Sequence, residues 1–476
     1  MPETTDEPRP VSTEIKRGLR RQPDLDTLYS VNPDGSRNML QPADARGRWH
    51  TRKNVVFAVL IAIYVAVPWI QVGGQPMLRF DVPHRTAYLV GHTFTREDFY
   101  LVFFLLTGFG FALFAITSLF GRVWCGYACP QTVFLEGVYR RVERWIEGGR
   151  NERLRRNQGP WNADKIGRKV LKQIVFLAIT LFLTHTALAY FLPVNELLPA
   201  LLAGPADHWV AFGWTTVATA VIYFDFAWFR EQFCVIMCPY GRLQSALIDD
   251  DTVVVGYDAK RGEPRGAKDK VTGDCIDCRS CVNVCPTGID IRNGLQMECI
   301  GCTNCVDACD SIMKQIGRKE GLVRYDSLRG FRDGRHRWIR PRLFLYAGLA
   351  VLGLVVFAFA ASGRTSFDVN VMRARGMPYT LEGERIQNLF TLHMRNKTTR
   401  KVEYVLEAIP PVAGQPVVEW RLSSTEVEID VLGEAQIPVF AYVSRADYHG
   451  PFTTGVRVTD HETGETMIVE LQFRGP

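Results

Sequence analysis

The chain has 476 residues, 47% of them hydrophobic, a mean hydropathy near zero and a formal net charge of +6. That length supports more than one domain, and the balance of apolar and polar residues fits apolar spans joined to polar domains, so a purely soluble protein is not the default expectation. The charge is modest and gives no expectation of a nucleic-acid partner; what matters is where the Lys and Arg residues sit.

In chain order, residues 1–53 read as a disordered cytoplasmic tail. Asp, Glu, Pro and Arg occur throughout it, and no long apolar stretch precedes Arg52, which argues against a cleavable secretory signal. Five segments are then long and apolar enough to cross a bilayer, at about 54–70, 99–120, 170–192, 209–225 and 343–362. The first and fourth are short, and the fourth carries Thr215, Thr216 and Thr219. Core helices of a soluble protein are the alternative, but 99–120 and 343–362 contain no charged residue.

Lys and Arg accumulate on the cytoplasmic side of a membrane protein. The connection 121–169 holds Arg140, Arg141, Arg144, Arg150, Arg153, Arg155, Arg156, Arg168 and Lys169, whereas 193–208 has neither residue type. Five crossings from an inside N-terminus therefore predict a four-helix membrane domain at 54–225 with a basic cytoplasmic loop at 121–169. A cytoplasmic segment at 226–342, a fifth transmembrane helix at 343–362 and an outside domain at 363–476 complete the expected order.

All twelve cysteines lie between Cys125 and Cys309, on the side this map makes reducing. Tight clustering speaks for metal binding and against a disulfide framework. Eight of them read Cys275-x-x-Cys278-x-x-Cys281-x-x-x-Cys285-Pro286 and Cys299-x-x-Cys302-x-x-Cys305-x-x-x-Cys309, an approximate internal duplication. This spacing predicts a ferredoxin-like domain at about 265–320 with two [4Fe-4S] clusters and crossed ligands: Cys275, Cys278, Cys281 and Cys309 on cluster 1, and Cys285, Cys299, Cys302 and Cys305 on cluster 2. Paired structural zinc sites are the alternative, but a third cysteine three residues on has no role in them. Cys309 departs from the usual pattern in being followed by Asp310 rather than proline.

The remaining cysteines form two motifs, Cys125-Gly126-Tyr127-Ala128-Cys129-Pro130 after the second span and Cys234-Val235-Ile236-Met237-Cys238-Pro239 after the fourth. Cysteines four apart share a helix face, although proline disfavours helix at the residue before it. If the motifs meet, four thiolates converge at the inner membrane surface, a soft donor set suited to Cu(I), zinc or another iron–sulfur centre. The competing reading makes each cysteine a small apolar residue at a helix end.

With those residues in hand, the chain resembles the cytochrome c oxidase accessory family known as FixG, RdxA or CcoG. The resemblance covers the two Cys-x-x-x-Cys-Pro motifs, the double ferredoxin insert, the helix after it and a β-rich tail. It implies an oxidoreductase of the bacterial inner membrane, a cupric reductase that converts Cu(II) to Cu(I) in maturation of cbb3-type oxidases. It also implies functional roles for Cys125, Cys129, Cys234 and Cys238, as copper ligands and reacting groups, and for the eight cluster cysteines. The expected partners are lipid, oxidase-assembly and copper-delivery proteins, and an electron donor from the cytoplasm. A neighbouring family, the quinol-oxidising membrane ferredoxins of periplasmic nitrate reduction, resembles residues 99–309 but lacks the fifth span and outside domain. It supplies the alternative of a quinol-linked relay without copper chemistry.

The tail alternates apolar and polar residues, as at Val427, Ile429, Val431 and at Val456, Val458, with breaks at Pro410-Pro411, Gly414, Gly433, Gly450 and Gly464. This predicts an antiparallel β-sandwich, which resembles the periplasmic immunoglobulin-like domain of the family. His393, His449 and His461 read as surface residues, and with Met372, Met377, Met394 and Met467 they make a poor case for a metal site, so docking is the expected role. His185 inside the third span is a candidate ligand or proton carrier. Asp225 and Arg230 are expected to pair. No phosphate-binding glycine loop, His-Glu-x-x-His or nucleophile elbow occurs.

Overall fold

A computed structural model describes residues 38–476 except 84, 96–97, 267–272, 374–377, 399 and 411–414. Most of the expected N-terminal tail, together with Met377, Pro411 and Gly414, lies outside the described residues. Among the described residues, five helices are long and apolar enough to cross a membrane: Arg48–Trp69, Phe99–Phe120, Ala163–Leu188, Trp209–Phe229 and Pro341–Ser362. The protein is thus a multi-pass membrane protein. The third helix starts earlier than expected, at Ala163, because Lys165, Arg168, Lys169 and Lys172 extend it as a charged turn before the apolar run begins.

The chain divides into two compact units. The first comprises the described part of Met1–Ile63 with Leu113–Leu183 and Thr216–Tyr346. It collects the N-terminal parts of the first, third and fifth membrane helices and the C-terminal parts of the second and fourth, as up-and-down helices require. Its polar part holds an antiparallel pair of strands, Val253–Tyr257 against Val323–Ser327, and two helices, Ser280–Asn283 and Asn304–Gln315.

The sequence duplication recurs in the backbone. Asp277 and Gly301 precede the second cysteine of their motifs with φ of 54° and 65°, and Arg279 and Thr303 follow it with φ of 55° and 62°. Each half therefore makes the same left-handed turn into a helix. The halves then diverge at the residue after the fourth cysteine. Pro286 follows a helix that has already ended at Asn283, whereas Asp310 lets the second helix continue through Cys309 to Gln315. The Asp310 carboxylate accepts the Gly321 N–H at 2.8 Å.

The expected 53-residue tail is corrected over its last part. Ala43 N–H donates to the Asn283 carbonyl at 2.8 Å, and a helix begins at Arg48. The N–H groups of Trp49 and His50 donate to the Asp307 carboxylate at 3.2 and 2.6 Å. A carboxylate there satisfies otherwise orphaned donors and favours the positive helix end. Asp307 lies 257 residues away, so no local signal marks this cap.

The second unit comprises Tyr64–Ala112, Thr184–Thr215 and Ala347–Pro476. Here a Cβ on Gly353 would stand 2.9 Å from the Gly108 Cα, so the second and fifth membrane helices touch backbone to backbone. Arg364, past the end of the fifth, forks onto the Asp98 carboxylate ahead of the second at 2.7 and 3.1 Å.

The tail is a two-sheet antiparallel sandwich. One sheet orders Glu419–Leu422, Glu434–Ser444, Arg385–Asn396 and Phe367–Arg373, with Thr380–Glu382 also paired to Arg385–Asn396. The other orders Glu426–Ile429, Val402–Ala408, Phe452–Asp460 and Thr466–Phe473. Alternate residues of the long strand, Ile386, Phe390, Leu392 and Met394, point into the shared core with Tyr404, Val439, Val456 and Val458. Met394 is therefore core and unavailable as a ligand, while His393 pairs with Glu434 at 2.9 Å and His449 and His461 are exposed.

Candidate iron–sulfur and four-cysteine sites

The eight ferredoxin cysteines fall into two neighbourhoods within the first unit. Cys309 acts electrostatically on Cys281, and Cys275 and Cys278 act on Cys309. Cys285 and Cys302 act on Cys299, while Cys305 feels Cys302, Cys299 and Cys285 and, more weakly, Cys281. These influences fit the expected crossed grouping, in which the last cysteine of each motif goes with the first three of the other. Burial pushes the Cys299 thiol up to about 12 and the Cys302 thiol up to about 11.

Backbone donors nevertheless aim at the sulfurs. The N–H groups of Thr287, Gly288 and Ile289 face Cys285, that of Gly301 faces Cys299, that of Asn304 faces Cys302, and that of Val323 faces Cys309. Such N–H···S contacts are wasted on neutral thiols and suit thiolates of an iron–sulfur cluster, whose potential they tune. The donor set and its surroundings fit two [4Fe-4S] groups. Cys278 is the one exposed cysteine of the twelve.

The two membrane-face motifs share one backbone device. Cys129 N–H donates to the Trp124 carbonyl and Cys238 N–H to the Phe233 carbonyl, both at 2.8 Å and both five residues back. The expected single helix face is corrected. Cys129, at φ −62° and ψ 126°, and Cys238, at φ −68° and ψ 110°, are extended, and Pro130 and Pro239 each open a new helix. Proline's clash with the preceding residue overrides helical continuity.

The wide turns nonetheless bring the motifs together. Cys234 is under the influence of Cys129, Cys125 and Cys238, and Cys125 is under that of Cys129 and Cys238. Burial, reinforced by Cys129, pushes the Cys125 thiol up to about 12. Among the described residues no three His, Cys, Asp or Glu side chains converge on one ion-sized point.

Three polar residues that sequence reasoning passed over line these sites. Gln244, wholly buried, accepts a hydrogen bond from the Cys125 sulfur at 3.3 Å. Lys53, 2% exposed, reaches the Asn304 side chain at 2.5 Å and the Cys302 carbonyl at 3.4 Å. Arg122 donates to the carbonyls of Gly241, Met297 and Cys299. The expected Asp225–Arg230 ion pair is replaced. Arg230 forks onto Glu143 at 3.2 and 3.3 Å, within a buried network that also holds Arg153 and Lys172. Arg140 and Arg153, two of the arginines that mark the loop as basic, are each 2% exposed.

Fold and site together define a multi-pass membrane protein with 4Fe-4S binding domains and an immunoglobulin-like tail. Residues 229–328 match the 4Fe-4S dicluster domain, residues 101–150 a 4Fe-4S binding domain, and residues 357–476 the IG-like fold at the C-terminal of FixG. The chain is 35% identical to the nitrogen fixation protein FixG of Rhizobium meliloti, covering 86% of this chain and 88% of that protein. It is 36% identical to protein RdxA of Cereibacter sphaeroides, covering 92% and 98%. A crystal structure of a FixG-related protein from Vibrio parahaemolyticus aligns with 23% of this chain and 97% of that chain, at 21% identity and a TM-score of 0.21. The chain belongs to the FixG and RdxA family.

Proposed function

We propose that the protein is a membrane-bound cupric reductase that serves the assembly of a cbb3-type cytochrome c oxidase. The observation that carries this reading is the meeting of Cys125, Cys129, Cys234 and Cys238 in one group beside the loop that bears Cys299. Each [4Fe-4S] group, when bound by its four cysteines, supplies one electron at a time, which is the difference between Cu(II) and Cu(I). Thiolates favour the Cu(I) product. Burial keeps the free Cys125 thiol protonated, so copper capture there releases a proton and weakens as pH falls.

The loop charges support an inside N-terminus and cluster region and an outside immunoglobulin-like domain, the latter positioned to dock assembly or copper-delivery partners. Exposed Cys278 offers a cytoplasmic donor its approach to the group held with Cys275, Cys281 and Cys309. Replacing Cys125 and Cys234 together with serine is expected to abolish Cu(II) reduction, read with a Cu(I)-specific chelator, while leaving the iron–sulfur absorbance intact. Reduction at the wild-type rate in that double variant overturns the assignment.

One cavity favours a second reading. About 240 Å³ in volume, it is lined by Phe120 at the end of the second span, by Val255, Met297 and Leu328, and by Cys299 and Arg122. A membrane quinol head group suits an apolar recess beside a redox ligand. Bleaching of the clusters by a short-chain quinol without oxygen would support a quinol relay; no bleaching removes it.

A further inference from the structure

Gly126 sits inside the first membrane-face motif, and a Cβ there would stand 2.8 Å from the Ile300 carbonyl oxygen and 2.9 Å from that of Gly301. Gly301 is left-handed at φ 65°, and its own Cβ would stand 3.1 Å from the Arg122 carbonyl oxygen. The two backbones therefore touch with no side chain between them, an approach that glycine on each side makes accessible. Tyr127 and Thr303 share a hydrogen bond at 2.8 Å across the same seam, and the Tyr325 hydroxyl donates to the Gly301 carbonyl at 3.0 Å.

Arg122 closes the seam. Only 9% exposed, it gives one guanidinium nitrogen to the carbonyls of Met297 and Cys299 and the other to Gly241, just past Cys238. One planar fork thus fastens both membrane-face motifs to the loop of Cys299 and Cys302, and lysine's single ammonium cannot span the same set. Its charge favours the ionised sulfur at Cys125 and at Cys299 alike.

We infer that Arg122 is a positioning residue that holds the four-cysteine turn against the Cys299 loop, so that the group on Cys285, Cys299, Cys302 and Cys305 is the one next to the copper-reducing turn and feels the Arg122 charge. The inference rests on the proposed function for the word copper, but its first test does not use copper. A buried cation favours the more negative, reduced form of a nearby cluster.

The test is an EPR-monitored redox titration of the full chain, purified anaerobically in detergent, comparing wild type with Arg122→Gln and Arg122→Lys. Arg122→Gln is expected to lower the midpoint of one signal by the equivalent of a tenfold preference for the oxidised form, about 59 mV for one electron. The shifted signal should be the one that survives Cys309→Ala. Arg122→Lys should keep the midpoint, and it serves alone if the neutral variant does not accumulate: a lowered midpoint there overturns the charge effect. Unmoved midpoints in Arg122→Gln, or a shift in the signal that Cys309→Ala removes, overturn the inference. Gly126→Ala then wedges the seam, and slower reoxidation of the same signal by Cu(II) at unchanged midpoint is expected; an unchanged rate overturns the adjacency. Should wild type pass no electrons to Cu(II) at all, the copper reading fails while the midpoint arm still stands.

Discussion

Glu143→Ala is expected to destabilise the protein by about 3–5 kcal/mol, the range for removing one partner from a buried ion pair. The Glu143 side chain is 2% exposed and lies within 3.3 Å of Arg153, Lys172 and Arg230. Truncation leaves Arg153 and Arg230 without their shared carboxylate, while Lys172 keeps Glu147 at 3.0 Å. Burial alone would raise the carboxyl pKa, but Arg230, Lys172 and Arg153 together hold it well below its ordinary 4.5.

The sign with pH follows from that depression. The folded state is stabilised by the ionised carboxylate fully above about pH 4.5 and loses that contribution as pH falls towards the lower folded value. Thermal unfolding in detergent at pH 7 measures the effect, and Glu143→Gln should flatten the acid limb of the stability profile. A loss under about 1 kcal/mol, the scale of a solvated surface pair, would show that water already reaches the three cations. Cluster content should fall with stability, because Arg140 in the adjoining network donates to the Pro286 carbonyl at 3.2 Å, directly after Cys285.

Sequence alone made the periodic and locally spaced features legible. Five apolar runs became five candidate membrane helices with ends displaced by a few residues, since charged turns such as Lys165–Lys172 extend a helix beyond its apolar stretch. The alternation of Val427 and Ile429 or Val456 and Val458 foretold the sandwich, because the period of two survives in any half-buried strand. What stayed illegible was long-range and polar. Asp307 caps a helix 257 residues earlier, Arg122 spans a separation of 175 residues to Met297, and Glu143 gathers Arg230 from 87 residues on. A charged residue reads as solvated surface until its partner is known, which is why Arg140 and Arg153 read in sequence as loop charge although each is 2% exposed. Cys-x-x-x-Cys-Pro gave conflicting local signals, helix spacing against proline, and the wide turn satisfies both by keeping the cysteines near while releasing the second from helix.

Cys309→Ala is expected to remove the iron–sulfur group whose other ligands are Cys275, Cys278 and Cys281, although Cys309 belongs by sequence to the second motif. The reason lies in the long helix Asn304–Gln315, which continues through Cys309 and brings it under the influence of Cys275 and Cys278. Cys285→Ala should remove the other group. In each variant the iron content should fall from about eight to about four per chain, and one of two reduced EPR signals should vanish, a different one in each case. Cys305→Ala supplies the control: it should silence the same signal as Cys285→Ala. If it silences the signal lost in Cys309→Ala instead, the ligands are not crossed, and the motif nearest the four-cysteine turn would then hold its cluster with its own four residues.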